Sequence, residues 1–128
     1  MFIWNYVFQV FMTRYWGDRY RTIPVFLKDL PDDMLGNFAH TPCGINSIWL
    51  AKNQDLTDRE LMGVLLHEMC HHVVFEEYGC EDVLPHGFEW MAQMRKVGFE
   101  DPDWETDGCD FFSEQEYKEI LKLLPEDK

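Results

Sequence analysis

Two histidines four residues apart, with a glutamate beside the first, make His67-Glu68-Met69-Cys70-His71 an H-E-x-x-H sequence. On a helix, residues four apart lie one above the other on the same face, so His67 and His71 can aim two imidazole nitrogens at one tetrahedral metal ion. Glu68 lies next to them and can take a proton from a bound water, whose pKa zinc lowers to about 7. Either histidine alone would read as a core residue hydrogen-bonded to its neighbours. With Glu68 beside them, the pair reads as two zinc ligands with a general base, the equipment of a zinc hydrolase.

That chemistry needs a helix, and residues 57–79 supply the signals for one. Thr57 with Glu60 three residues later forms a capping box, and Leu56 can staple onto Leu61. Gly79 suits the position just past the helix end, where a positive φ is wanted. Between them Leu61, Met62, Val64, Leu65, Leu66, Met69, Val73 and Val74 cover most of the circumference, which predicts a helix buried in a core.

A hydrolytic zinc site has three protein ligands and one open position, so a third ligand must come from elsewhere in the chain. The metzincin continuation is excluded, because Val74 and Glu77 stand where its glycine and third histidine would be. His86, in Leu84-Pro85-His86-Gly87-Phe88-Glu89-Trp90, is the best candidate, opening a helix over residues 86–97 that ends at Gly98. Glu89, one turn further on, is its rival. A protonated histidine at a helix start would be disfavoured by the helix dipole, whereas a neutral metal-bound imidazole escapes that penalty.

These features resemble the SprT-like zinc metalloproteases: aliphatic residues running into His67-Glu68-Met69-Cys70-His71-His72, a short insert, then His86-Gly87 with Phe88 opening the next helix. Upstream, an aromatic N-terminal helix, a strand at 22–27, a strand containing Gly36 and another at 45–50 come in the same order as in that family. The likeness runs from about Trp4 to Phe99. It implies a single-metal peptidase with His67, His71 and His86 as zinc ligands and Glu68 as general base, on an α+β zincin-like fold with a small antiparallel sheet and a C-terminal helix. It also brings to mind cleavage of DNA-bound or DNA-crosslinked proteins, but the 128 residues carry no added zinc ribbon or basic module.

Composition bounds the rest. A chain of 128 residues with 46% hydrophobic content suffices for one domain and is too short for two ordinary ones, so a single domain over 1–128 is expected, with an acidic loop and helix at 99–128. Only 11 basic residues face 24 acids, a formal charge of −13, which argues against direct DNA binding or an anionic membrane and favours basic, flexible protein substrates. Cys43, Cys70, Cys80 and Cys109 lack C-x-x-C spacing and read as reduced thiols of a cytoplasmic protein. Residues 1–12 have neither a basic start nor a small-residue cleavage site and are too short to span a bilayer.

Before the metal motif, Trp4, Val7, Phe8, Phe11 and Tyr15 recur at helical spacing up to Gly17 and predict a core-packing helix. Pro24 near the start of the 22–27 strand fits an edge. Segments 34–40 and 45–50 flank Thr41-Pro42-Cys43-Gly44 and predict an antiparallel hairpin, one strand of which should be an edge able to take an extended peptide. His40 can approach the metal motif or simply occupy the hairpin surface, and the surface is the plainer expectation.

After the metal motif, residues 100–110 hold six acids and no base, followed by a capping box at Ser113 and Glu116 and a final helix toward Leu124. Asp103, Glu105, Asp107 and Glu114, with Gly108 at the sixth position, echo the spacing of an EF-hand calcium loop. Glu105 and Asp110 depart from that pattern, and no helix enters the loop, so a solvated acidic loop is the plainer expectation and calcium the second. The competing functional class is an acidic interaction protein or nucleic-acid mimic whose zinc is structural, closed by Cys70 or Glu89 as a fourth ligand. His72 points about 100° away from His71, and Tyr78 and Tyr117 are the remaining candidates for stabilising an oxyanion.

Overall fold

A computed structural model describes residues 4–41, 44–79, 85–103 and 105–125. In chain order it contains α1 (Trp4–Trp16), β1 (Val25–Lys28), β2 (Gly36–Ala39), β3 (Ser47–Ala51), α2 (Asp58–Tyr78), α3 (Phe88–Val97) and α4 (Glu114–Lys122). The architecture is α+β, as expected. No helix among the described residues is long and apolar enough to cross a membrane.

The central helix forms for the reasons legible in its sequence. At its N-terminus Thr57 accepts the Glu60 N–H and the Glu60 carboxylate accepts the Thr57 N–H, so two otherwise orphaned donors are satisfied. Its C-terminus stops at Gly79, whose φ of 75° few other residues tolerate. Leu61 to Cys70 are all buried, so the helix runs through the core rather than along the surface. Phe8 and Phe11 of α1 pack into the same core, and Phe11 stacks on Phe112 with ring centroids 5.4 Å apart. Each such buried side chain contributes about 1.5–3 kcal/mol.

The sheet corrects one expectation, because it is mixed rather than antiparallel. β2 and β3 do form the antiparallel hairpin, with Phe38 opposite Ile48, and the Gly44 N–H reaches the Thr41 carbonyl in the turn. β1, however, pairs with β3 in parallel, Val25 opposite Ile48, in the order β1-β3-β2. Two chain reversals restore the direction of β1, and β3 then enters between the other two strands. Its buried Ile48, Leu50 and Ala51 make it the most apolar of the three, which suits the central place. Among the described residues β1 and β2 are therefore both edges, and Pro24 falls just before one of them.

Candidate metal centre

Gly36 brings β2 against α2 at the level of the motif: a Cβ there would lie 2.7 Å from Val64 Cγ1 and 3.1 Å from Glu68 Oε2. Between strand and helix opens a cavity of about 400 Å³, lined by Gly36, Phe38 and His40 on one side and by His67, Glu68, His71 and Phe75 on the other. Pro85 and His86 also line it.

Into this cavity His67, His71 and His86 converge, each offering one nitrogen, with the three nitrogens within 4.8 Å of one another. The Nε2 atoms of His67 and His71 are 3.2 Å apart. Ligands tetrahedrally placed about 2.0–2.1 Å from a shared zinc ion would stand roughly 3.3–3.4 Å apart. His86 precedes α3 rather than opening it: Gly87 is the N-cap and Phe88 the first helical residue, because the chain is still extended at Gly87 (φ −85°, ψ −165°). The third histidine therefore sits in a turn beside the helix start.

Two features put the imidazoles in the form that binds metal. His67 Nδ1–H donates to the Thr106 carbonyl at 2.7 Å, which leaves the Nε2 lone pair directed away from that bond. Burial depresses the pKa of all three: His67 falls to about 4, against the opposing pull of the Thr106 bond, and His71 falls to about 2, helped by repulsion from His67 and His86. His86 is lowered by burial too. Each shift favours the neutral imidazole, the form that ligation requires. Two Nε2 atoms in this state meet at 3.2 Å with little but a cation or a single proton to reconcile their lone pairs, so the donor set fits a zinc ion.

The indole of Trp90, fully buried, underlies all three rings at 5.0, 5.3 and 4.5 Å from His67, His71 and His86, and lies nearly parallel to His71. Glu68 is buried beside the histidines, its Oε2 3.7 Å from His67 Nε2. Burial raises its pKa to about 8, and a hydrogen bond from the Phe38 main chain opposes that rise. A divalent ion nearby would favour the carboxylate form.

Other candidates fall elsewhere. Neither Glu89 nor Cys70 joins the metal-holding group, and among the described residues no fourth His, Cys, Asp or Glu does so. Cys70 and Cys109 are free thiols, while Cys43 and Cys80 lie outside the described residues. His72 donates from Nε2 to the Arg21 carbonyl at 2.9 Å and packs between Phe8 and Phe38, a core role. Tyr78 is exposed, and neither it nor Tyr117 lines the cavity. His40 is exposed just past β2, as expected of a hairpin residue, and it also stacks on Phe38, faces Phe75 at 5.0 Å and borders the cavity.

Among the described residues the calcium candidates Asp103, Glu105, Asp107 and Glu114 form no group that could hold an ion. Asp103 and Asp107 accept the main-chain N–H groups of Glu105 and Cys109 at 2.8 and 2.9 Å, while Glu114 pairs with Arg59 at 3.3 Å. Gly108, the glycine of the calcium-like pattern, has φ +96° and lies against Gly63 of α2. Sequence reasoning missed Thr106 because its contribution is a main-chain carbonyl, which no side-chain pattern marks.

His67, Glu68 and His71 on a helix backed by a small sheet, with His86 from the turn before the next helix, surround a cleft and form a zincin-like arrangement that could hold a metal ion. The model of the SprT-like family matches residues 7–110, and the chain belongs to that family, which is associated with zinc metalloprotease-like domains. No curated protein shows significant similarity to the chain.

Substituting His86 by alanine is expected to weaken zinc binding by more than the roughly 10–100-fold typical of changes outside the ligand shell. Helices α2 and α3 should persist, since neither cap involves His86. Competition with a chromophoric chelator, alongside far-UV circular dichroism, reads both; unchanged affinity would remove His86 from the ligand set.

Proposed function

We propose that the protein is a zinc-dependent endopeptidase that hydrolyses peptide bonds in flexible or unfolded, basic proteins. The observation that carries this reading is the convergence of His67, His71 and His86 on the wall of an open cavity that also holds Glu68. Three protein ligands with space beside them are the pattern of a catalytic rather than a structural site.

When bound there, zinc supplies a Lewis acid for the scissile carbonyl and makes water nucleophilic near neutral pH. Glu68 takes the proton of the attacking water and returns it to the leaving amine nitrogen. The Phe38 main chain holds the Glu68 carboxylate in place for both transfers. Beyond β2 no further strand lies among the described residues, so its outer edge can align an extended substrate through main-chain hydrogen bonds. Such pairing requires a segment free to become extended and reads little of its sequence.

The charge of −13 supports basic substrates through long-range attraction. Raising salt from about 0.01 M to 1 M shortens the Debye length from roughly 30 Å to 3 Å. Cleavage of a lysine-rich substrate should therefore slow, mainly through kcat/KM, while a neutral substrate is little affected. Equal salt responses would contradict electrostatic recruitment.

The test of the function itself is incubation of an unfolded lysine-rich polypeptide with zinc-loaded and metal-stripped protein, with products mapped by mass spectrometry. New termini that need zinc are expected. An intact substrate in the presence of stoichiometric zinc would overturn the proposal.

A further inference from the structure

The acidic segment after α3 is left without a role by this chemistry, yet it touches the metal helix at two points one turn apart. Thr106 receives the His67 Nδ1–H bond, and Gly108 lies so close to Gly63 that a Cβ on Gly63 would stand 1.8 Å from the Gly108 carbonyl oxygen. Gly63 and His67 are four residues apart and share a helix face. The segment is thus seated directly along the face that presents the first ligand.

Thr106 is itself held by Asp103. The Thr106 N–H reaches the Asp103 carbonyl at 3.1 Å, and the Asp103 N–H reaches Thr106 Oγ1 at 3.0 Å. Asp103 Oδ1 also accepts the Glu105 N–H at 2.8 Å and faces the Thr106 hydroxyl at 3.4 Å. These bonds tie Thr106 to one orientation, and its carbonyl is the group that selects the Nδ1–H tautomer of His67.

We propose that Asp103 is a positioning residue of the metal centre: it orients the Thr106 carbonyl, which fixes the tautomer and ring angle of His67. The role is geometric. An asparagine, whose side-chain oxygen accepts the same bonds, should replace Asp103, whereas an alanine should not. This inference rests on the zinc-site reading, but the tautomer it predicts is a property of the metal-free protein as well.

The experiment compares wild type, Asp103→Asn and Asp103→Ala in two measurements. Zinc affinity is read by chelator competition, and the His67 tautomer by 15N-histidine NMR of the metal-free protein, with His67 assigned through a His67→Gln control. Asp103→Ala should bind zinc about 10–100-fold more weakly and show His67 exchanging between tautomers. Asp103→Asn should match wild type in both. Wild-type affinity and tautomer in Asp103→Ala would overturn the proposal. Equal loss in Asp103→Asn would overturn it too, by showing that charge matters instead, and a calcium titration then asks whether the carboxylate serves a cation. Should Asp103→Ala not fold, Thr106→Val removes the hydroxyl end of the same arrangement and is judged by the same two readouts. If wild type binds no zinc, the metal reading fails, while the NMR comparison still decides the role of Asp103.

Discussion

Glu68→Gln is expected to lower kcat for peptide hydrolysis by about 10²–10⁴-fold, the contribution of a positioned general base, while leaving zinc affinity and fold unchanged. Glutamine keeps the volume of the side chain and an oxygen that can accept the Phe38 main-chain bond, but it cannot take up a proton. The ligands are not touched: His67 keeps its bond to Thr106, and His71 and His86 keep their contact with the Trp90 ring. The loss should fall on kcat rather than KM, because the base acts in the reaction and not in holding the substrate. Steady-state kinetics with metal content measured on the same samples checks this. A variant that cuts at the wild-type rate with full zinc would remove Glu68 from the mechanism, and one that has lost its zinc would show that Glu68 is structural.

The second large effect is on stability. In an exposed helix, Gly→Ala gains about 1 kcal/mol from helix propensity. At Gly63 the sign is reversed, because the added Cβ would meet the Gly108 carbonyl oxygen at 1.8 Å and its carbon at 2.7 Å. These are backbone atoms, so no rotamer change relieves the clash. Either α2 or the segment around Gly108 must move by more than 1 Å, and an overpacking penalty at or above the upper end of the usual 1–3 kcal/mol range is expected. Gly63→Ala should therefore lose about 3 kcal/mol or more, lowering Tm by roughly 10 °C or more for a chain of this size. Displacing the Gly108 segment also disturbs Thr106, so zinc affinity should fall with it. A melting temperature at or above that of wild type would contradict the close approach. The mirror substitution, Gly108→Ala, adds backbone strain to the clash, since Gly108 has φ +96°.

What could be read from the sequence was local. The start of α2 was legible because Thr57 and Glu60 are three residues apart and cap each other, and its end because Gly79 stops it. The ligand pair was legible because helix geometry alone places His67 beside His71. His86 could be singled out as a candidate by its neighbours, although the helix it was assigned to begins at Phe88. What could not be read depends on distant segments meeting. The parallel pairing of β1 with β3 follows from insertion of the later strand between two earlier ones, an outcome set by relative burial of whole strands. The cavity role of His40 depends on Phe75, 35 residues away in the chain. Thr106 acts through its main chain. A glycine in the interior of an apolar helix, however, was a signal: Gly63 gives up helix propensity, and the structure supplies the reason in Gly108.

The same distinction explains the acidic segment. Its spacing echoed a calcium loop, but Asp103 and Asp107 are engaged by main-chain N–H groups and Glu114 by Arg59. The carboxylates shape the chain beside the histidine cluster, and among the described residues they form no metal-holding group of their own.

Whether His67, His71 and His86 hold a zinc ion with a position left for chemistry can be read by X-ray absorption at the zinc edge of the stoichiometric complex. Three imidazole nitrogens and one oxygen are expected, all about 2.0–2.1 Å from zinc, with one imidazole lost in His86→Ala. A sulfur at about 2.3 Å or a fourth protein nitrogen would contradict this expectation and make the site structural.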